Sequence, residues 1–84
     1  MDADVERFLE ECRADPWFRD QPEALKGHEE IFEKFYLAGD DSPEWQEIWD
    51  RIREVVTRKE PLMERVKALI PILEEIKVLM RQEL

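Results

Sequence analysis

One cysteine stands in this 84-residue chain, so no disulfide can form within it. Glycine is nearly as scarce, with two residues, and no glycine-rich loop is available to cradle a phosphate. There is one histidine. A metal site needs three or four ligands. Neither H-E-x-x-H nor E-x-x-H occurs, so zinc and di-iron centres lack their ligand spacing, and no metal or cofactor is expected. No apolar run approaches the roughly 20 residues of a membrane span. Alternating apolar and polar stretches are missing too, which argues against a sheet. The first residues, Met-Asp-Ala-Asp-Val-Glu, lack the basic and apolar regions of a signal peptide. A natural chain of this kind is expected in the cytoplasm.

What the chain does contain is charge and helical periodicity. Charged residues make up 42% of it, against about 25% in an ordinary globular domain. The net charge is −9, unevenly placed: residues 1–50 hold 16 acids and 5 bases, residues 51–84 hold 6 acids and 8 bases. Attraction between the halves of one bundle explains this asymmetry. An acidic face that meets a basic partner explains it as well. Direct binding to nucleic acid is disfavoured, because phosphate contacts need clustered Lys and Arg.

The clearest pattern lies in the last third. Leu62, Val66, Leu69, Leu73, Ile76 and Met80 recur at steps of four and three, which is one apolar seam along a long helix. Met63, Ile70, Ile72 and Leu79 widen the seam on both sides. Pro71 lies inside this helix, opposite the seam, and predicts a kink; a break near Ile70 is the alternative. Upstream, a helix over 3–14 carries Val5, Phe8, Leu9 and Cys12 on one face. Asp15-Pro16 and Gln21-Pro22 then bracket a turn with Trp17 and Phe18, because proline disfavours helix in the residue before it. A helix over 22–38 follows, with Leu25, His28, Ile31, Phe32, Phe35 and Tyr36 as its stripe and Gly39 as its C-terminal cap. Asp40-Asp41-Ser42-Pro43-Glu44 is a strong helix start. It opens a helix over 43–58 with Trp45, Ile48, Trp49, Ile52, Val55 and Val56 inward. Pro61 starts the last helix, which runs to 82. The expected architecture is an all-α protein: a single domain over 1–84, a small antiparallel four-helix bundle with a short first helix and a kinked C-terminal one.

Candidate chemistry is sparse. His28 could act as a general base or ligand, and Cys12 could pair with it if the first two helices pack side by side. Both lie on apolar stripes, where a histidine is usually a boundary residue and a cysteine a small hydrophobe. The paired carboxylates Glu10-Glu11, Glu29-Glu30 and Glu74-Glu75 fall on outer faces. Ala24-Leu25-Lys26-Gly27 resembles part of the motif of histidine phosphotransfer domains, but Glu23 stands where the phosphorylated histidine would fall. Asp50-Arg51-Ile52-Arg53-Glu54 is similar to a stretch of all-helical chorismate mutases. Neither likeness extends further, and no family is assigned.

The leading expectation is a non-enzymatic module that works by protein–protein contact or self-association. Trp17, Phe18, Ile72, Val78 and Leu79 are its candidate anchors, since interfaces concentrate their energy in a few buried apolar groups. The alternatives are a small enzyme or ligand-binding bundle built on His28, and an acidic decoy that blocks a nucleic-acid-binding protein. Strong caps and charged helix faces also fit a designed or redesigned scaffold, although Cys12, Gly27 and Pro71 are irregularities that idealised designs usually avoid.

Overall fold

Each helix begins where local chemistry supplies a start. The Asp2 carboxylate accepts the Asp4 and Val5 N–H groups at 2.9 and 3.4 Å and opens α1, Ala3–Ala14. Asp15 accepts the Trp17 N–H at 3.0 Å, with Pro16 at the first position of α2, Pro16–Asp20. Pro22 opens α3, Pro22–Ala38, and Gly39 closes it in the left-handed region at φ 59°, donating to the Tyr36 carbonyl. The Ser42 hydroxyl accepts the Trp45 N–H and opens α4, Pro43–Val56. The helix α5, Leu62–Gln82, starts just after Pro61, whose carbonyl accepts the Glu64 and Arg65 N–H groups. This computed structural model describes residues 2–39 and 41–82. Asp40, part of the predicted α4 start signal, lies outside the described residues. The protein is all-α, with no strand among the described residues.

Two boundaries differ from the sequence reading. The Trp17–Phe18 turn is a short helix in its own right. The helix α4 stops two residues early: the Thr57 N–H still donates to the Arg53 carbonyl, but the Arg58 N–H donates to Val55, three residues back, and the last turn tightens. The helix α5 is continuous through Pro71, so the alternative of a break near Ile70 is not realised.

Four helices close a ring of contacts. The helix α1 packs on α3 and α4, α5 packs on the same two, and α2 sits against α1 and α3. The core is Val5, Phe8, Leu9 and Cys12 from α1; Phe18 from α2; Phe32 and Phe35 from α3; Trp45, Ile48, Ile52, Val55 and Val56 from α4; and Val66, Leu69, Ile72, Leu73 and Ile76 from α5. Phe35 packs face to face with Trp45 at 4.4 Å and with Trp49 at 4.9 Å. Such aromatic pairs add about 0.5–1.5 kcal/mol beyond their area.

Several expectations are corrected here. Ile72 and Phe18, predicted as interface anchors, are buried at 4% and 1% exposure and belong to the core. Ile72 lies three residues after Leu69 and four before Ile76, so it joins their face once α5 has two long neighbours. Tyr36 and Ile70, assigned inward, are half exposed. Neither the α3 nor the α5 contact surface extends far enough round the helix to cover them.

One charged side chain enters the core. Arg65 is 9% exposed and lies on the buried face of α5. Its guanidinium donates to the Val56 carbonyl at 3.0 Å, to the Glu60 carbonyl at 3.0 Å and to Glu11 at 2.6 Å. Its carbon Cζ sits 5.7 Å from the Phe8 ring centre. It thus ties α1, the end of α4 and the α4–α5 connection to α5.

Candidate functional site

His28 Nδ1 lies 2.8 Å from the Ala24 carbonyl. A carbonyl can only accept, so in this contact Nδ1 donates. Nε2 is buried and has no hydrogen-bond partner among the described residues. The Phe18 ring stands edge-on at 6.0 Å. Among the described residues no acid orients the imidazole and no thiol is hydrogen-bonded to it. Cys12 is fully buried. Burial, with the nearby Glu11 charge adding to it, pushes its thiol up to about 12, so the thiolate needed for nucleophilic chemistry does not form near neutral pH. The two residues are therefore not brought together as a reactive pair. Among the described residues no group of three or more His, Cys, Asp or Glu side chains could hold a metal ion.

The cations of the Asp50–Glu54 stretch are also committed. Arg53 donates to Asp2 at 2.8 Å and to Asp50 at 2.8 Å. Burial alone would raise the Asp2 carboxyl, but the Arg53 hydrogen bond and the two capped N–H groups hold it below the usual carboxylate range. Arg51 turns the other way, towards α5.

That turn leads to a cleft of about 450 Å³ between α4 and α5. Ile48 from α4 and Val78 and Leu79 from α5 supply its apolar surface, and Glu44, Glu47, Arg51, Glu74 and Glu75 its rim. Ile48 is 5% exposed, Val78 is 50% exposed and Leu79 is partly buried. Arg51 donates a hydrogen bond to Glu75 at 2.9 Å, and a second nitrogen–oxygen contact of the ion pair is 2.6 Å. This bond holds the Glu75 carboxyl below its ordinary range and raises the Arg51 guanidinium. Lys77 pairs with Glu74 at 3.3 Å. Glu47 adds to the pull of Glu75 on the Arg51 guanidinium.

No protein-family model, curated protein or solved structure matches this chain.

Of the sequence-predicted anchors, the cleft contains Val78 and Leu79. Trp17 is 47% exposed, on α2 and away from these residues in the chain; Phe18 and Ile72 are in the core. The rim residues Glu44, Glu47 and Arg51 were not foreseen. Their spacing on one side of α4 is legible in the sequence, but their position beside Val78 is a product of helix packing. A second, smaller hollow lies between α1 and α3, beside the exposed Tyr36 and Leu37, and it too is edged by glutamates, Glu6, Glu29 and Glu33. No described helix is long and apolar enough to cross a membrane.

Proposed function

We propose that this protein is a non-enzymatic helical-bundle module that binds a basic protein partner through the α4–α5 cleft. The observation that carries this reading is the cleft itself: exposed Val78 and part-buried Leu79 beside a rim with four glutamates, Glu44, Glu47, Glu74 and Glu75, and one arginine, Arg51. An amphipathic helix with an apolar stripe and flanking Lys or Arg is the chemistry that suits such a groove. The apolar side chains supply affinity, and the charges raise the association rate and select the partner. Self-association through this cleft is the weaker version, because two copies would bring acidic rims together.

The bundle reading is supported by side-chain pairings. Arg51 near the middle of α4 reaches Glu75, whereas Arg65 near the start of α5 reaches back to Val56 at the end of α4. Helices that pair in that order run antiparallel. Pro71 within α5 supports a bend at that point, since proline removes one backbone hydrogen bond.

The test is a titration of the labelled protein with a helical Leu/Lys peptide, followed by amide chemical shifts. A chain of charge −9 attracts any basic peptide, so the location of the response decides. Shifts concentrated at Ile48, Val78 and Leu79, and lost in Val78→Glu, support the reading. Shifts spread equally over α1 and α3, unchanged in Val78→Glu, refute it.

A further inference from the structure

We propose that the hollow between the start of α1, the end of α3 and the middle of α4 binds a proline-rich extended segment of another protein, with its prolines on Tyr36 and Trp49 and a basic residue of the same segment over the glutamates of the neighbouring hollow. Asp2, Tyr36, Gln46, Trp49 and Arg53 line about 340 Å³ there. None of them lines the α4–α5 cleft, and the proposal does not depend on the reading of that cleft. The volume lies at the small end of the roughly 300–1,000 Å³ of ligand sites. It suits a few residues of extended chain rather than a helix about 10 Å across.

Two aromatic residues meet a ligand in this hollow. Tyr36 is half exposed. Trp49 is partly buried and stacks on the buried Phe35 at 4.9 Å, which holds the indole in place before anything binds. A ring already fixed costs little ordering on binding. The polar groups beside the rings decide what suits them. Arg53 and Asp2 neutralise each other at 2.8 Å, and the other Asp2 oxygen caps α1. No second carboxylate lines the hollow, and a cationic ligand would meet the Arg53 guanidinium. The Trp49 indole N–H and the Gln46 side-chain amide make no hydrogen bond to another described residue. Rings with unused donors suit an uncharged ligand rich in acceptors. A proline-rich segment in the polyproline II conformation has that chemistry: apolar rings, unpaired carbonyls, and proline nitrogens that carry no hydrogen.

The basic residue follows from the position of Tyr36, which also lines the hollow between α1 and α3. Glu6, Glu29 and Glu33 stand there with one cation, Arg13, which pairs with Glu29 at 3.3 Å. Three acids against one base leave that hollow negative. A single extended segment that crosses Tyr36 enters both hollows. Residues one polyproline turn apart, about 9 Å, lie on the same side of such a segment. A lysine or arginine about one turn from the prolines therefore reaches the glutamates while the prolines rest on the rings.

The experiment uses the full chain and a synthetic peptide with two prolines in P-x-x-P spacing and an arginine three residues beyond the second. Amide and indole N–H shifts are read during the titration. The expected result is movement of the Trp49 indole N–H and of the Tyr36 and Gln46 amides, with Val78 and Leu79 unmoved. Tyr36→Ala, at a half-exposed position, should weaken binding about tenfold, as the loss of one aromatic anchor does. A peptide with both prolines replaced by alanine should bind weaker by a similar factor. Glu6→Gln with Glu33→Gln should weaken the arginine peptide about threefold and leave its glutamine counterpart unchanged. Val78→Glu should leave binding unchanged. Equal binding of the alanine peptide, or an unmoved Trp49 indole, overturns the proposal. A larger shift of the Trp49 indole with tetramethylammonium than with the peptide at equal concentration makes the hollow a cation cage and overturns it too. Binding lost in Val78→Glu, with Tyr36 and Trp49 unmoved in the wild type, assigns the peptide to the α4–α5 cleft; that overturns this proposal and leaves the cleft reading standing.

Discussion

Replacing Arg65 by methionine tests whether one buried cation holds the α4–α5 connection. Methionine retains the apolar stem and removes the guanidinium, so packing is largely kept. Three hydrogen bonds are lost. The Val56 carbonyl lies at the buried end of α4 and loses a charged donor, a contact of about 1.5–3 kcal/mol. Glu60 is exposed, so water can replace the donor to its carbonyl at lower cost. The Glu11 side chain is 44% exposed and returns to solvent, so that ion pair contributes about 1 kcal/mol or less. The cation over Phe8 adds about 0.5–1 kcal/mol. The sum is a loss of about 2–5 kcal/mol, a large part of the roughly 4–13 kcal/mol available to a chain of this length. Urea unfolding followed by tryptophan fluorescence and far-UV dichroism measures it. Glu11→Gln should cost about 1 kcal/mol or less, and Arg65→Lys should lie between, since an ammonium cannot fork to three acceptors. A loss under about 0.5 kcal/mol for Arg65→Met, or an equal loss for Glu11→Gln, refutes the assignment of the energy to the carbonyls.

Other perturbations follow from the same packing. Leu69→Ala, at a fully buried position, should cost about 2–5 kcal/mol by leaving a cavity, and an unmoved urea midpoint would remove α5 from the core. Gly27→Ala should stabilise by about 0.4–1 kcal/mol, because a Cβ there meets nothing within 4 Å and α3 gains a better helix former; a lower melting temperature would contradict it. Cys12 should resist a thiol reagent at neutral pH until urea unfolds the chain. Its thiol is raised in the folded state, so the unfolded chain loses the proton first as pH rises. Stability should therefore fall by about 1.4 kcal/mol per pH unit between the ordinary thiol range and about 12, and Cys12→Ala should abolish that component. His28→Leu should shift stability by about 1 kcal/mol or less, since it removes one local Nδ1 bond to the Ala24 carbonyl and a buried Nε2 without a partner among the described residues, and haem should give no Soret change that depends on His28; such a change would restore a functional role.

The sequence alone determined the helices and most of their inward faces. Val5, Phe8, Leu9 and Cys12 share an arc because of helical rotation, and that geometry is local. Asp2, Asp15, Ser42 and Gly39 act within one turn of their own positions, so the starts and stops were also legible. Tertiary structure decided the rest. Whether Ile72 or Ile70 is covered depends on where α3 and α4 lie around α5, which a single-helix pattern does not contain. Arg65 shows the same limit: it interrupts an apolar face between Leu62 and Leu69, a visible irregularity, but its acceptors come from α1, the end of α4 and the α4–α5 connection. The cleft is the furthest from sequence. Glu44 and Glu47 are 34 and 31 positions from Val78, and only the packing of α4 on α5 makes an acidic rim and an apolar floor into one surface. Periodicity reports the side of a helix that is apolar; the neighbours that cover that side, and the part they leave open, are set by packing between elements.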